Sequence, residues 1–581
     1  MKKNNVLDVP RRSGLLSDDE IRITEDYDAT SLAKELATGK LKSVDVVTAF
    51  CKRAAVAQQL TNCLTEIFFD DAIARAQELD AQYARTGKPA GPLHGLPISL
   101  KDTFKVKGYD ASVGVASLCF KPATTNSALV ELLLSLGAVL YCKTNIPQTM
   151  MALDSHNNVF GRVVNPAHSR LTPGGSSGGE GALVAMRGSI LGVGTDVGGS
   201  IRVPAMCNGL YGIKPSHGRV PYAGQEGGVQ PGSSKLAIEA TAGPIAHSMR
   251  DCELFLRAVG GDREPYLPVR GWSLDSSGRH SVNDTLPQLL DPDVIAQTWD
   301  QQASLYIQEQ PCMPESNPRM KQPLRIGVVR TDGHTTPLPP VQRLMDEVTQ
   351  ALRASGGEGS TPIEIVELDL FSLLSQCVKV SNGIFSLDGA NQWFDLLEKT
   401  GEPLSPWLQG RLRRRPQKTV NEIRTLQAQK IEMQTKFLSV WWDKGGYWNG
   451  GTVRSSVDQT LDIIICPAAP HPVPPIDRWN TVNYTSAFNL LDLPAGILPV
   501  RAVTQRDLEA ELGSAKPLNG WDKTNQELWT KVRRQDYLGT MLSVQVVAPR
   551  LMERKLVESM AIVDEALKPL KMNETTRSSK L

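Results

Sequence analysis

The sequence predicts an α/β protein with helices layered over a sheet. Two observations carry this. Short apolar runs of strand length alternate with helical periods, and the handover from helix to strand is marked by a glycine. Apolar residues make up 41% of the 581 positions and charged residues 22%, enough to bury a large core and unlike a disordered or collagen-like chain. At roughly 150 residues per domain the length would suggest about four domains, but a large α/β enzyme can use it as one unit.

The elements follow in order. Residues 1–27 read as an irregular N-terminal arm. From Asp28 to Ala54 two helices are expected: Leu32 and Leu36 share a face, Gly39 is a stop, and Ser43 caps a second helix carrying Val46, Val47 and Phe50. A third covers about 70–85. Leu96–Leu100 suits a buried strand. Ser127 caps the helix Ala128–Leu136, Gly137 ends it, and Val139–Cys142 resumes as strand. Residues 262–322, rich in Pro, Ser, Asp and Gln, break the alternation and read as a surface excursion without a core. The pattern returns with a strand at Ile326–Val329, a helix from Pro340, and strands at Ile363–Leu368 and Asp462–Cys466. Arg411, Arg413, Arg414 and Arg415 read as the solvated face of a helical stretch.

Composition excludes several classes. Lys and Arg total 63 against 62 for Asp and Glu, a net charge of +1, which gives no reason to expect a nucleic-acid partner. The nine cysteines are scattered, with no C-x-x-C, so neither a disulfide framework nor a zinc site is expected, and reduced, buried thiols are. The polar N-terminus lacks an apolar signal region, and no run reaches the ~18 apolar residues of a membrane span. A soluble intracellular protein is expected.

One stretch dominates: Pro173-Gly174-Gly175-Ser176-Ser177-Gly178-Gly179, followed by Gly192-Val193-Gly194-Thr195-Asp196-Val197-Gly198-Gly199-Ser200-Ile201-Arg202. A phosphate loop needs Gly-Lys-Ser/Thr, which is absent, and Gly192, Gly194 and Gly198 miss the dinucleotide spacing by one residue. A nucleophile elbow fits Gly174–Gly178 formally, with His217, His247, His280, His334 and His471 as later partners, none in a distinctive context. The third reading uses Lys101, placed at the end of an apolar strand where burial disfavours its charged form. A neutral lysine can act as the base for a serine.

Lys101, the Gly-Gly-Ser-Ser-Gly-Gly loop and Gly194–Arg202 together resemble the amidase signature family. The separations of 75 residues from Lys101 to Ser176 and 24 from Ser176 to Ser200 fit its pattern. So do Cys142–Asn145, Cys207–Pro215, and Tyr484–Pro499 with Phe488-Asn489 and Pro494-Ala495. The resemblance spans about 28–262 and 323–568, is strongest in 90–220, and is nearest in flavour to fungal acetamidases, with fatty acid amide hydrolase more distant.

The resemblance implies one amidase domain over 28–568, an α/β/α fold with a large mixed, mostly parallel twisted central sheet, and no metal or organic cofactor. Ser200 is then the acyl-forming nucleophile, Ser176 the bridging serine on a cis peptide bond, and Lys101 the base. Backbone N–H groups of Val197, Gly198, Gly199 and Ser200 would hold the oxyanion. The helix starting near Gly179 would aim its positive end at the site. Ser177 and Thr195 would support the triad, Asp196 and Arg202 would pair beneath the loop, and Met150 would line the acyl pocket. The substrate is a small-molecule amide whose acyl chain stays open, as does amide against ester. The same family includes subunits of multi-protein amidotransferases, which remain the alternative. Oligomeric state is not readable. Finally, Ser579-Lys580-Leu581 matches a peroxisomal address, on a polar tail over 569–581 suited to capture by an import receptor, so peroxisomal localisation is expected.

Overall fold

The computed structural model describes residues 4–228, 236–261, 290–295, 297–302, 304–305, 323–355, 361–441, 460–479, 481–513 and 516–571. Ser579-Lys580-Leu581, Cys312, His280 and most of the 262–322 excursion lie outside them.

The strands are β1 Leu64–Ile67, β2 Pro97–Lys101, β3 Val139–Thr144, β4 His156–Asn157, β5 Gly161–Arg162, β6 Leu191–Asp196, β7 Tyr211–Lys214, β8 Thr241–Ala246, β9 Leu324–Val328, β10 Ile363–Glu367, β11 Ile463–Pro467, β12 Ala495–Ala502 and β13 Met541–Val547. β4 and β5 form a separate pair. The other eleven make one mixed sheet in the order β1-β3-β2-β6-β8-β7-β12-β13-β11-β9-β10. Parallel pairing occurs in two blocks, β3–β2–β6 and β11–β9–β10. From β6 to β11 every neighbour is antiparallel, a longer antiparallel run than helix–strand alternation suggests. β7 and β8 show one reason: they are joined without an α-helical crossover among the described residues, so the chain turns back beside itself.

Helices cover both faces, which is why β2, β3, β6 and β11 are buried along their whole length and read as near-continuous apolar runs. Alternation along β2 sorts the layers. Ile98 and Leu100 enter one apolar layer with Leu129, Val130 and Leu133 of the helix Ala128–Ser135. Ser99 and Lys101 turn to the other face, toward the helix Gly178–Ala185. That helix packs Ala182 and Leu183 against Val139 and Tyr141 of β3 and Val47, Cys51 and Ala54 of the helix Ser43–Thr61. Truncating a fully buried leucine such as Leu183 to alanine would cost about 2–5 kcal/mol.

Three expectations change. The arm is not irregular: Val9–Arg12 and Asp18–Glu25 are helical, the second with a capping box between Ser17 and Glu20, and Ile23 and Thr24 are buried. The basic cluster is not helical. Pro416 disfavours helical backbone at Arg415, and the helix begins only at Val420, capped by Thr419. Arg414 there bridges Asp395 and Glu398 at 2.8 and 2.9 Å, and Arg411 stacks over Trp407. The excursion is also tied down at its far end. Asp291 accepts from the backbone N–H of Tyr222 and Ala223 at 2.6 and 2.8 Å, and Trp299 is buried.

Seven of the eight described cysteines are buried and none is paired, with Cys119 half-buried. Among the described residues no helix is long and apolar enough to cross a membrane.

Candidate active site

Lys101 ends β2 with no exposed surface. Its Nζ donates to Ser176 Oγ at 2.6 Å and to Thr195 Oγ1 at 2.8 Å. Burial pushes the lysine pKa down to about 7, against the opposing pull of Asp196 and Glu180. A side chain that is ordinarily a fixed cation is therefore poised to lose its proton near neutral pH.

Ser176 follows a cis Gly175–Ser176 peptide bond, the only cis bond among the described residues. Ser177 is the N-cap of the helix Gly178–Ala185, so the helix begins directly behind the serine pair and points its N-terminus at them. Ser177 N–H donates to the Ser200 carbonyl at 3.2 Å, laying the two serine loops side by side. Ser200 is 5% exposed, and its Oγ takes no hydrogen bond among the described residues.

The Ser200 loop stands on a buried ion pair. Asp196 Oδ1 and Oδ2 accept from Arg202 Nη2 and Nε, both at 3.0 Å, and neither side chain is exposed. Burial alone would raise the Asp196 carboxyl; the charge and hydrogen bonds of Arg202, helped by Lys214 and Asn489, outweigh it and hold the pKa below its ordinary value. Arg202 is satisfied on its far side by Thr485 O at 3.0 Å, Gln545 Oε1 at 2.7 Å and Asn489 Oδ1 at 2.6 Å. Each charge is paired and further hydrogen-bonded, the condition under which a buried ion pair holds a geometry instead of destabilising it.

One expected donor faces elsewhere. Gly199 N–H goes to Asp196 Oδ1 at 2.7 Å. The buried carboxylate draws nearby amides, and Ile201 N–H joins it at 3.1 Å. Gly199 has φ +134°, and a Cβ there would sit 2.4 Å from Thr485 Oγ1, so glycine is required. Val197 and Phe385 pack against the same apolar cluster, and a Cβ on Gly198 would lie 3.5 Å from the Phe385 ring. Met150 packs with Val113, Val115, Ile146, Trp393 and Leu397.

The structure thus gathers Lys101, Ser176, Ser177, Thr195 and the 196–202 loop. Three of the five histidines of the elbow reading are engaged elsewhere: the His247 ring meets Val184 O at 2.6 Å, the His471 ring meets Pro472 O at 2.9 Å, and His217 faces Glu239. From the sequence, Gln545 and Glu180 were missed, Ser99 was placed only within the strand Leu96–Leu100, and Thr485 and Asn489 only within the matching stretch Tyr484–Pro499. Gln545 and Glu180 had a signal, a polar side chain within a largely apolar buried segment.

The family described as Amidase matches residues 45–268 and 280–557. The chain is 37% identical to the acetamidase of Emericella nidulans over 98% of its own length and 93% of the relative's. It is 35% identical to the acetamidase of Aspergillus oryzae, covering 95% and 92%. Fatty acid amide hydrolase superimposes with a TM-score of 0.77 and 28% identity, over 97% of this chain and 89% of that one. A peptide amidase from Stenotrophomonas maltophilia, at 18% identity and TM-score 0.59 over 94% and 97%, shares the fold. The protein is a hydrolase of amide C–N bonds. It belongs to the amidase signature family.

Proposed function

We propose that the protein hydrolyses small carboxylic amides to acid and ammonia through an acyl-enzyme on Ser200, with Ser176 as proton bridge and Lys101 as base. The observation that carries this reading is the fully buried Lys101 Nζ, 2.6 Å from Ser176 Oγ. A serine hydroxyl is a poor nucleophile until a base takes its proton. Ser200 Oγ attacks the carbonyl carbon, its proton passes to Ser176 Oγ, and the Ser176 proton passes to Lys101 Nζ. When the tetrahedral adduct collapses, the same relay returns a proton to the leaving nitrogen, without which amide cleavage stalls. Water then attacks the ester on Ser200 by the same path and releases the acid.

The oxyanion is held by backbone N–H groups of Val197, Gly198 and Ser200, each of this kind worth about 3 kcal/mol in the barrier. Gly199 N–H serves by fixing the loop on Asp196. Phe385 and Met150 wall the acyl side. The acetamidase names of the two fungal relatives favour a short aliphatic acyl group.

The test is ammonia release by the isolated chain over primary amides of graded acyl length, with Ser200→Ala as the blank. Release from short amides that vanishes in Ser200→Ala is expected. Release only in the presence of a partner protein would turn the reading to an amidotransferase subunit, and equal release by Ser200→Ala would overturn it. We also propose peroxisomal delivery through Ser579-Lys580-Leu581. An N-terminally tagged chain should form puncta that disperse when Leu581 is removed; a diffuse signal from the intact chain would contradict it.

A further inference from the structure

Behind Lys101 lies a buried acid that the proposed reaction does not use. Glu180 sits in the first turn of the helix Gly178–Ala185 with no exposed surface. Its slot is built for a carboxyl group: a Cβ on Gly192 of β6 would stand 2.2 Å from Glu180 Oε2, so only glycine leaves the space. Ser99 lies two residues before Lys101 on the same face of β2, and Thr144 of β3 is the register partner of Lys101. Thr144 Oγ1 donates to Glu180 Oε1 at 2.9 Å.

The other oxygen begins a chain. Glu180 Oε2 is 2.6 Å from Ser99 Oγ, Ser99 Oγ is 2.8 Å from Ser189 Oγ, and Ser189 Oγ is 3.1 Å from Leu191 O. The terminal carbonyl only accepts. Three contacts therefore need three protons, and two serine hydroxyls supply two. The arrangement that fills all three places the third on the carboxyl: Glu180 donates to Ser99, Ser99 to Ser189, and Ser189 to Leu191 O. These three oxygens are fully buried, where a contact without a proton is costly.

We propose that Glu180 is a positioning residue held as the neutral acid, adding no second negative charge to that of Asp196 so that the lysine can give up its proton. This rests on Lys101 being the base. An ionised Glu180 would favour the charged lysine and hold back the relay. Burial independently pushes the Glu180 carboxyl up to about 8, opposed by its contacts with Ser99 and Thr144 and by Lys101. The titratable groups that sense Glu180 are Lys101 on β2, Tyr141 and Cys142 on β3, and Cys63 just before β1; Asp196 on β6 also acts on Lys101.

Infrared difference spectroscopy and pH–rate profiles on the full chain test this. The wild type at pH 7 should show a protonated-carboxyl C=O band that is missing in Glu180→Gln. The carboxamide keeps both the donor and the acceptor, so the acid limb of kcat/KM should stay in place. Ser189→Ala removes the acceptor of Ser99, whose proton then turns to Glu180 and favours the carboxylate. Its acid limb should move up by about one pH unit, and its band should titrate away at lower pH than in the wild type. Absence of a Glu180-dependent band at pH 7, or a downward shift of the limb in Glu180→Gln, would overturn the proposal. If Glu180→Gln does not fold, an unchanged band titration in Ser189→Ala overturns it alone. The band does not depend on the role of Lys101, so it separates failure of this proposal from failure of the lysine base.

Discussion

Gly199 N–H and Asp196 Oδ1 are 2.7 Å apart, and this contact fixes the turn that carries Ser200. The turn exists because φ at Gly199 is +134° and because Thr485 Oγ1 occupies the space a side chain would need. Gly199→Ala should therefore misplace the nucleophile. Backbone strain of this kind costs roughly 1–3 kcal/mol, so kcat should fall by about tenfold or more. Steady-state kinetics with a thermal melt checks it; unchanged kcat would mean the turn does not position Ser200.

Asp196→Asn should act more strongly on stability. It leaves the Arg202 guanidinium buried without its anion, a break that costs about 3–5 kcal/mol. The sign of the pH dependence follows from the depressed carboxyl pKa. Its contribution is complete above the ordinary value of 3.8 and is lost only as pH falls through the lower folded value. Urea midpoints of wild type and Asp196→Asn should thus differ at pH 5 as much as at pH 7.

The lysine sets the pH profile of turnover. Its pKa, pushed down to about 7 by burial, means the base is protonated below that pH and free above it. kcat/KM should drop about tenfold per unit as pH falls below 7. Lys101→Ala should lose about 10²–10⁴-fold above pH 7 and flatten the limb below it. If His94, His217, His247 or His471 replaced by alanine gives the same loss, the base is a histidine.

A Cβ on Gly198 would lie 3.5 Å from the Phe385 ring, and in the proposed reaction this is the acyl side. Phe385→Ala should enlarge that side and raise the kcat/KM of a four-carbon amide relative to a two-carbon amide, by about tenfold for a gain of one to two methylene contacts. A ratio that does not move places the acyl pocket elsewhere.

Much of this was legible in the sequence because the signals are local. The run Leu96–Leu100 ending in Lys101 gave a buried strand with a cation at its tip, and the glycine–serine loops fixed which residues meet it. What was not legible depends on partners far apart in the chain. Arg202 is completed by Thr485, Asn489 and Gln545, nearly 300 residues or more away, on elements whose adjacency only the sheet order reveals. The direction of the Gly199 amide is likewise set by φ, which composition does not encode. The long antiparallel run from β6 to β11 was hidden because strand periodicity carries no information about direction. The helix Asp18–Glu25 was missed although Ser17 and Glu20 stood at capping-box spacing, since so few apolar residues accompany them.

In the proposed reaction Ser200 carries the acyl group. Peptide mapping by mass spectrometry after reaction with a fluorophosphonate reads this directly, since the probe traps the serine that attacks. A single adduct on Ser200 is expected, strongly reduced in Lys101→Ala and absent in Ser200→Ala. An adduct on Ser176, or labelling that persists in Ser200→Ala, would contradict it.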